Sequence, residues 1–400
     1  MSKRLFLRSM IIIGIALFLM SCQSNETDNL NNASSNDQIE NNEPANNQTD
    51  NTQRNNSTDK FNEQDNSTEK TQLSEMSTDN WEVETLAENL EIPWSINIHD
   101  GTVYMTDRHG HILEIADGEV ERNEIDTSNS IEHTGEGGLL GFILADDFSE
   151  TGLGFAYYTF QSNDNSLLNR VVQVEKQSDG DWTEIDVLLD DIPGAATHNG
   201  GRLAIGPDEM LYVTTGDANS PNDSQEESNL SGSILRMTQM GEVPSDNPTE
   251  DSYVYSYGHR NPQGLAWNET GELYSSEHGP TAQDEINLIQ PGNNYGWPVI
   301  EGNQTNEGME EPLIQSGEDT WAPSGIAFWD NQLLVTGLRG ESLYYFNEDE
   351  MEMIEVFQGE GRLRDVKYQD GAIYLITNNT DGRGTPQDND DRLLKLTITD

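Results

Sequence analysis

Residues 100–115 read DGTVYMTDRHGHILEI. A turn (Asp100-Gly101) leads into a short run of strand-forming residues, Thr102-Val103-Tyr104-Met105. A polar loop then leads into a second run, Gly110-His111-Ile112-Leu113-Glu114-Ile115. The same order of features returns five times. Gly154-Phe155-Ala156-Tyr157-Tyr158 is followed by Arg170-Val171-Val172-Gln173-Val174, and Glu209-Met210-Leu211-Tyr212-Val213 by Gly232-Ser233-Ile234-Leu235-Arg236-Met237. Gly271-Glu272-Leu273-Tyr274 precedes Asp284-Glu285-Ile286-Asn287-Leu288-Ile289. Asn331-Gln332-Leu333-Leu334-Val335 precedes Glu341-Ser342-Leu343-Tyr344-Tyr345-Phe346, and Asp370-Gly371-Ala372-Ile373-Tyr374-Leu375 precedes Arg392-Leu393-Leu394-Lys395-Leu396. Runs this short, rich in Val, Ile, Leu and Tyr and bounded by Gly, Asp and Asn, are strands joined by turns. No window keeps a helical period. Six hairpin-bearing units predict an all-β chain folded as a six-bladed β-propeller, with a pair of β-sandwiches as the alternative. Units longer than an ordinary blade imply long loops on one face, where function concentrates.

Ahead of the repeat, Met1 to Ser21 carries Lys3, Arg4 and Arg8 and then the apolar run Met10 to Met20. This is the pattern of a signal segment, shorter than a typical spanning helix. Leu19-Met20-Ser21-Cys22 resembles a bacterial lipoprotein signal, in which the cysteine becomes the lipidated N-terminus after cleavage. A plain secretory signal or an uncleaved anchor are the other readings, and all three put the remaining chain outside the cytoplasm. Cys22 is the sole cysteine, so no intrachain disulfide can form. From Gln23 to Asn80 the composition is Asn, Ser, Thr, Gln, Asp and Glu, too polar to offset the entropy of ordering. The expected division is therefore a signal over 1–21, a disordered tether over 22–80 and a propeller over 81–400.

Lysine plus arginine number 20 against 73 aspartate plus glutamate, a formal net charge of −53 at pH 7. The acidity is spread along the chain, which argues against nucleic acid or an anionic membrane surface as partner; contact with a membrane is expected only through the lipidated N-terminus. A dispersed acidic surface with so little lysine suits a high-salt environment, where counterions screen self-repulsion.

Chemistry-bearing residues crowd into Tyr255–Pro298, YSYGHRNPQGLAWNETGELYSSEHGPTAQDEINLIQPGNNYGWP. Loops broken by Gly and Pro expose carbonyl oxygens, and carbonyls with the carboxylates Asp284 and Glu285 form a hard-oxygen set suited to calcium. An acidic surface loop would look the same. His198, within Thr197-His198-Asn199-Gly200-Gly201-Arg202, stands among small residues at a blade entry. There it could serve as a general base near pH 7, with Asp217 returning beside it to hold its tautomer, or simply bond the backbone. Arg260, Arg339, Arg362 and Arg364 all fall where the repeat places loops. In a chain so poor in cations, their gathering at one mouth points to an anionic ligand, the alternative being local ion pairs.

Together these pieces resemble the soluble pyrroloquinoline-quinone (PQQ)-dependent glucose and aldose sugar dehydrogenases. The matching motifs are GEGGLLGF at 135–142, HNGGRLAIGPD at 198–208, LYVTTGD at 211–217 and GHRNPQGLAW at 258–267. EHGPTAQDEINLIQPGNNYGWP at 277–298, GLRG at 337–340 and GRLRDV at 361–366 follow in family order. The resemblance implies a six-bladed propeller that binds PQQ and calcium and oxidises an aldose to its lactone. It implies His198 as general base, Asp217 as its assisting carboxylate, and Arg260 beside the quinone oxygens. It implies Asn261 as a cofactor contact, Arg362 and Arg364 as the grip on cofactor carboxylates, Gly279 and Pro280 as carbonyl ligands of the catalytic calcium, and Glu285 and Tyr295 as ligands of a structural one. Glu136 stands where the glucose enzyme has glutamine, Arg339 stands where it has lysine, and Ala218 to Ser228 shares little with the segment that contacts sugar. Neither the sugar nor the electron acceptor is named by the sequence. A non-catalytic calcium-binding propeller and a calcium-dependent lactonase are the competing functions; the lactonase needs a central metal held by side-chain carboxylates.

Overall fold

The computed structural model describes residues 73–399. The signal segment, Cys22 and the tether as far as residue 72 lie outside the described residues.

Each of the six expected hairpins is an antiparallel strand pair. Thr102–Asp107 pairs with His111–Ala116, Leu153–Gln161 with Leu167–Lys176 and Leu211–Thr215 with Ser233–Met237. Leu273–Glu277 pairs with Glu285–Ile289, Gln332–Gly337 with Ser342–Asn347 and Ala372–Thr377 with Leu393–Ile398. Every pair is flanked by two more strands. The leading ones are Pro93–His99, Leu139–Leu144, Leu203–Ile205, Pro262–Trp267, Pro323–Trp329 and Leu363–Gln369. The trailing ones are Glu119–Asp126, Trp182–Pro193, Val254–Tyr257, Ile314–Gln315 and Glu352–Gln358. In the last sheet the fourth strand comes from the other end of the described chain: Trp81–Ala87 lies antiparallel on Leu393–Ile398, with Trp81 opposite Ile398. Four sheets have four strands. The eight-stranded sheet is two such meanders joined by a short parallel contact, Ile125 opposite Trp182 and Asp126 opposite Thr183.

The leading strands touch one another in a closed ring, each meeting the leading strand of the next unit and the last meeting the first. This is a β-propeller arrangement. Crowding at the ring selects glycine. A Cβ on Gly141 would lie 2.1 Å from the Gly201 carbonyl oxygen, and one on Gly264 would lie 2.4 Å from that of Ser324. Five leading strands also break register near their start, between Pro93 and Ile96, Leu139 and Phe142, Pro262 and Gly264, Pro323 and Ile326, and Leu363 and Asp365. A bulge turns the extra side chain out of the ladder. Among the bulged residues, Trp94, Leu140, Gln263 and Arg364 line one small pocket at the same end of the ring as the site described below.

Order begins earlier than the composition implies. Two 3-10 turns, Leu73–Glu75 and Thr78–Asn80, precede the first strand. Leu73 is fully buried in the cluster that holds Trp81, Trp329, Val356 and Phe357, and its N–H donates to Gln332 Oε1 at 3.2 Å. Residues 73–80, expected to belong to the tether, are therefore part of the folded domain, with Leu73 seated in its core.

Candidate active site

The segments entering the leading strands, and those leaving the second strands, converge on a cavity of about 430 Å³. Its lining includes Glu136, His198, Arg260, His278, Gly279, Pro280, Arg339, Arg362 and Arg383. Eight of the residues singled out from sequence, Asp284 among them, thus meet in one place, although they span the chain from position 136 to position 362.

His198 occupies a left-handed backbone conformation, φ 60°. Its Nδ1 lies 2.8 Å from Asp217 Oδ1, and Asp217 is almost wholly buried. The two segments can meet because residue 216 is glycine: a Cβ there would fall 1.9 Å from the His198 carbonyl oxygen. Asp217 also accepts from Asn219 N at 2.8 Å and Trp297 Nε1 at 2.9 Å. Burial alone would raise the Asp217 carboxyl, but these donors, His198 first, leave it below the ordinary range. An anionic Asp217 facing Nδ1 keeps the proton on that nitrogen and leaves Nε2 as the basic atom.

Arg260 follows on the next unit. Its N–H is bonded to Glu277 Oε1, its Nη1 donates to the His278 carbonyl at 3.2 Å, and its guanidinium lies 5.3 Å from the Trp297 ring centroid. Its Nε is buried and unpartnered, as are Asn261 Nδ2 and His278 Nε2. Asn261 sits behind the cavity wall, where Oδ1 accepts from Gly200 N at 3.0 Å. Burial pushes the His278 imidazole down to about 4, so it is neutral at ordinary pH. Buried donors without partners are costly unless a ligand completes them. A polar, anionic guest fits this wall.

The arginines divide. Arg339 is exposed, with only a 3.4 Å contact to the Thr281 carbonyl. Arg362 lines the cavity with its guanidinium shared among Asn378 O, Leu338 O and Asp381 Oδ2, at 3.1, 3.0 and 2.9 Å. Arg364 is not in this cavity. It lies deeper, held by Asn378 Oδ1 and Gln263 Oε1 at 2.9 and 2.7 Å, and borders the small adjoining pocket; burial lowers it to about 9. The expected pair is therefore one residue at the wall and one behind it, with Arg364 at the register break between Leu363 and Asp365 and on the adjoining pocket.

Glu136, whose charge conflicts with an anionic guest, is paired. Its Oε1 lies 2.7 Å from Arg383 Nη1 and its Oε2 accepts from His198 N at 2.9 Å. Burial works against ionisation, but these partners bring it down to about 2.

Gly279 and Pro280 form a tight turn below the cavity. A Cβ on Gly279 would lie 2.0 Å from the Ala282 carbonyl oxygen, and Asp284 Oδ1 holds the Gly279 N–H at 3.0 Å. Asp284 Oδ2 takes Trp321 N and Ala322 N, each at 2.8 Å, so this carboxylate organises the loop. Glu277, Glu285 and Tyr295 border a second recess of about 10 Å³, the scale of one water or ion. Burial, with Glu277 nearby, raises Glu285 to about 8. The Tyr295 hydroxyl is spent on Leu288 O and Gln290 N, which leaves its carbonyl as the oxygen it could offer a cation. Among the described residues, no group of three or more His, Cys, Asp or Glu is arranged to hold a metal.

Sequence reading passed over His278, Arg383 and Arg108. His278 lies inside a motif already quoted, and Arg383 sits in Asp381-Gly382-Arg383-Gly384, a Gly-flanked loop cation of the kind that singled out Arg339. Arg108 carries no such signal. It is buried, grips the carbonyls of Gly135 and Gly137, and is lowered to about 10 by burial.

Residues 90–394 match the family described as glucose/sorbosone dehydrogenase. The aldose sugar dehydrogenase YliI of Escherichia coli (strain K12) is 29% identical over 344 residues, 75% of this chain and 91% of that protein. Quinoprotein glucose dehydrogenase B of Acinetobacter calcoaceticus is 33% identical over 265 residues, 57% of this chain and 55% of that protein. Among solved structures, the PQQ-bound aldose sugar dehydrogenase from Streptomyces coelicolor is similar with a TM-score of 0.74 and 37% identity, covering 80% of this chain and 98% of that one.

Proposed function

The chain belongs to the glucose/sorbosone dehydrogenase family, and from that membership we propose that it oxidises an aldose at the anomeric carbon to the lactone with PQQ as cofactor and calcium as its metal. The observation that carries the proposal is His198, backed by a buried Asp217 at 2.8 Å and opening onto the same cavity as Arg260, Arg339 and Arg362. We count the closed ring of leading strands as six blades.

In this reading His198 Nε2 removes the proton from the anomeric hydroxyl. Asp217 keeps Nδ1 protonated, fixes the ring and offsets the charge that develops on it. Arg362, Arg339 and the free donor of Arg260 would hold the cofactor, with Asn261 and Arg364 supporting the wall from behind. Arg260 would also face the charge that builds as the substrate is oxidised. Bound PQQ supplies the two-electron acceptor that no side chain here provides. The Gly279 and Pro280 carbonyls would hold the adjacent calcium. Glu285 and the Tyr295 carbonyl would hold the structural one, where a cation would answer the buried Glu285 carboxyl. Lipidation at Cys22, outside the described residues, would hold the domain at the outer face of the cell membrane.

The test is an absorbance titration of the calcium-loaded chain with PQQ, followed by reduction of a dye acceptor with a panel of aldoses. Saturable binding with dye reduction is expected. Binding without reduction by any aldose would leave a non-catalytic binding domain, and lactone hydrolysis without quinone would make it a lactonase.

A further inference from the structure

Glu136 cannot leave the cavity. Its own N–H donates to the Ala196 carbonyl at 2.7 Å, and a Cβ on Gly135 would lie 2.0 Å from that same oxygen, so segments 135–137 and 196–198 are in backbone contact. Arg108 pins the carbonyls on either side of Glu136. The carboxylate is therefore held against the His198 segment, facing a cavity that Arg260, Arg339 and Arg362 also line, where the other carboxylate, Asp284, is spent on backbone N–H groups. Other cations nearby are committed: Arg108 to carbonyls, Arg362 to Asp381, Arg364 to Asn378 and Gln263. Arg260 leans on the His278 carbonyl. Arg383 alone forms an ion pair with Glu136 among the described residues. Its loop is set by Asp381, which holds Arg383 N at 2.9 Å through one oxygen and Arg362 Nη2 at 2.9 Å through the other.

We propose that Arg383 is a positioning and charge-balancing residue: it neutralises Glu136 so that the cavity accepts a carboxylate-bearing cofactor, and it keeps Glu136 on the His198 N–H. The role rests on the reading of this cavity as the PQQ site. Arg108, Arg260 and Arg364 act on Glu136 only through space, without an ion pair, and Arg339 reaches only the Thr281 carbonyl, so losing Arg383 would leave the carboxylate without a paired cation facing an anionic guest.

The experiment is a PQQ titration of the calcium-loaded protein, followed by absorbance across pH 4 to 8, as order-of-magnitude bounds around the carboxylate range. Arg383→Ala is expected to weaken binding roughly 10- to 100-fold near neutral pH, the scale of one lost charge-assisted contact. Its deficit relative to wild type should shrink as pH falls and the unpaired Glu136 takes up a proton. Arg383→Lys should retain part of the affinity, and adding Glu136→Gln to Arg383→Ala should restore most of it. Arg383 occupies a half-exposed loop position, and the double variant controls for unfolding through rescue. Arg383→Ala binding as tightly as wild type, or no rescue by Glu136→Gln, overturns the proposal. A wild-type chain that binds no PQQ sinks the quinone reading itself, and this role with it.

Discussion

His198 owes its place to three contacts from two separate stretches: Glu136 holds its N–H, while Asp217 holds its Nδ1 and the adjacent Gly216 makes room for its carbonyl. Replacing it with alanine should leave PQQ binding intact and lower turnover by roughly 10²–10⁴-fold, the usual contribution of a positioned base; stopped-flow dye reduction compared with the binding titration measures both. Glu136 predicts a pH effect on stability. Its pKa of about 2 in the fold lies below the ordinary 4.5, so its contribution is present above pH 4.5 and lost as pH falls toward 2. Calorimetry should find that Glu136→Gln loses less melting temperature across that window than wild type. The difference should be modest, because Arg383 is half exposed and solvent screens the pair. His198, Asp217 and Arg260 were legible in sequence because each sits in a motif with a family counterpart. The answer to Glu136 was not legible, because Arg383 is 247 positions away in numbering and only the closing of the ring brings it near.

At the scale of the element, the hairpins were readable and the leading strands were not. Middle strands such as Leu211–Thr215 and Ser233–Met237 are buried along their whole length and read as short apolar runs. Leading strands carry Gly, Pro, Ser and charged residues, such as Pro262-Gln263-Gly264 and Leu363-Arg364-Asp365, because they pack backbone to backbone around the axis and send their bulged side chains toward the site. A strand-forming pattern is absent where the neighbour is another main chain rather than an apolar layer. Trailing strands fail to show for the opposite reason: Glu119–Asp126 is exposed along most of its length. Gly141→Ala tests the close approach. With a Cβ 2.1 Å from the Gly201 carbonyl, the ring must shift, and chemical denaturation should show a loss of about 1–3 kcal/mol, the usual cost of overpacking.

Across the whole molecule, Trp81–Ala87 completes the sheet that the C-terminal strands begin, so the ring is closed by hydrogen bonds between segments more than 300 residues apart. Trp81 secures that join, its Nε1 donating to Val356 O at 2.8 Å and its ring 6.0 Å from that of Trp329. A net charge of −53 works against any compact state. The melting temperature should therefore rise with added potassium chloride between roughly 0.1 M and about 1 M, where the screening length contracts from about 10 Å to about 3 Å. A midpoint that stays level or falls would show that self-repulsion does not limit stability. The sequence by itself determined the all-β class, the hairpin of every unit and the motif residues, because turn residues and short apolar runs are local signals. Only the tertiary structure decided that Arg364 stands behind the cavity, that Leu73 belongs to the core and that Arg383 answers Glu136. Those outcomes depend on which side chains a closed ring of strands brings together, and no local pattern encodes that distance.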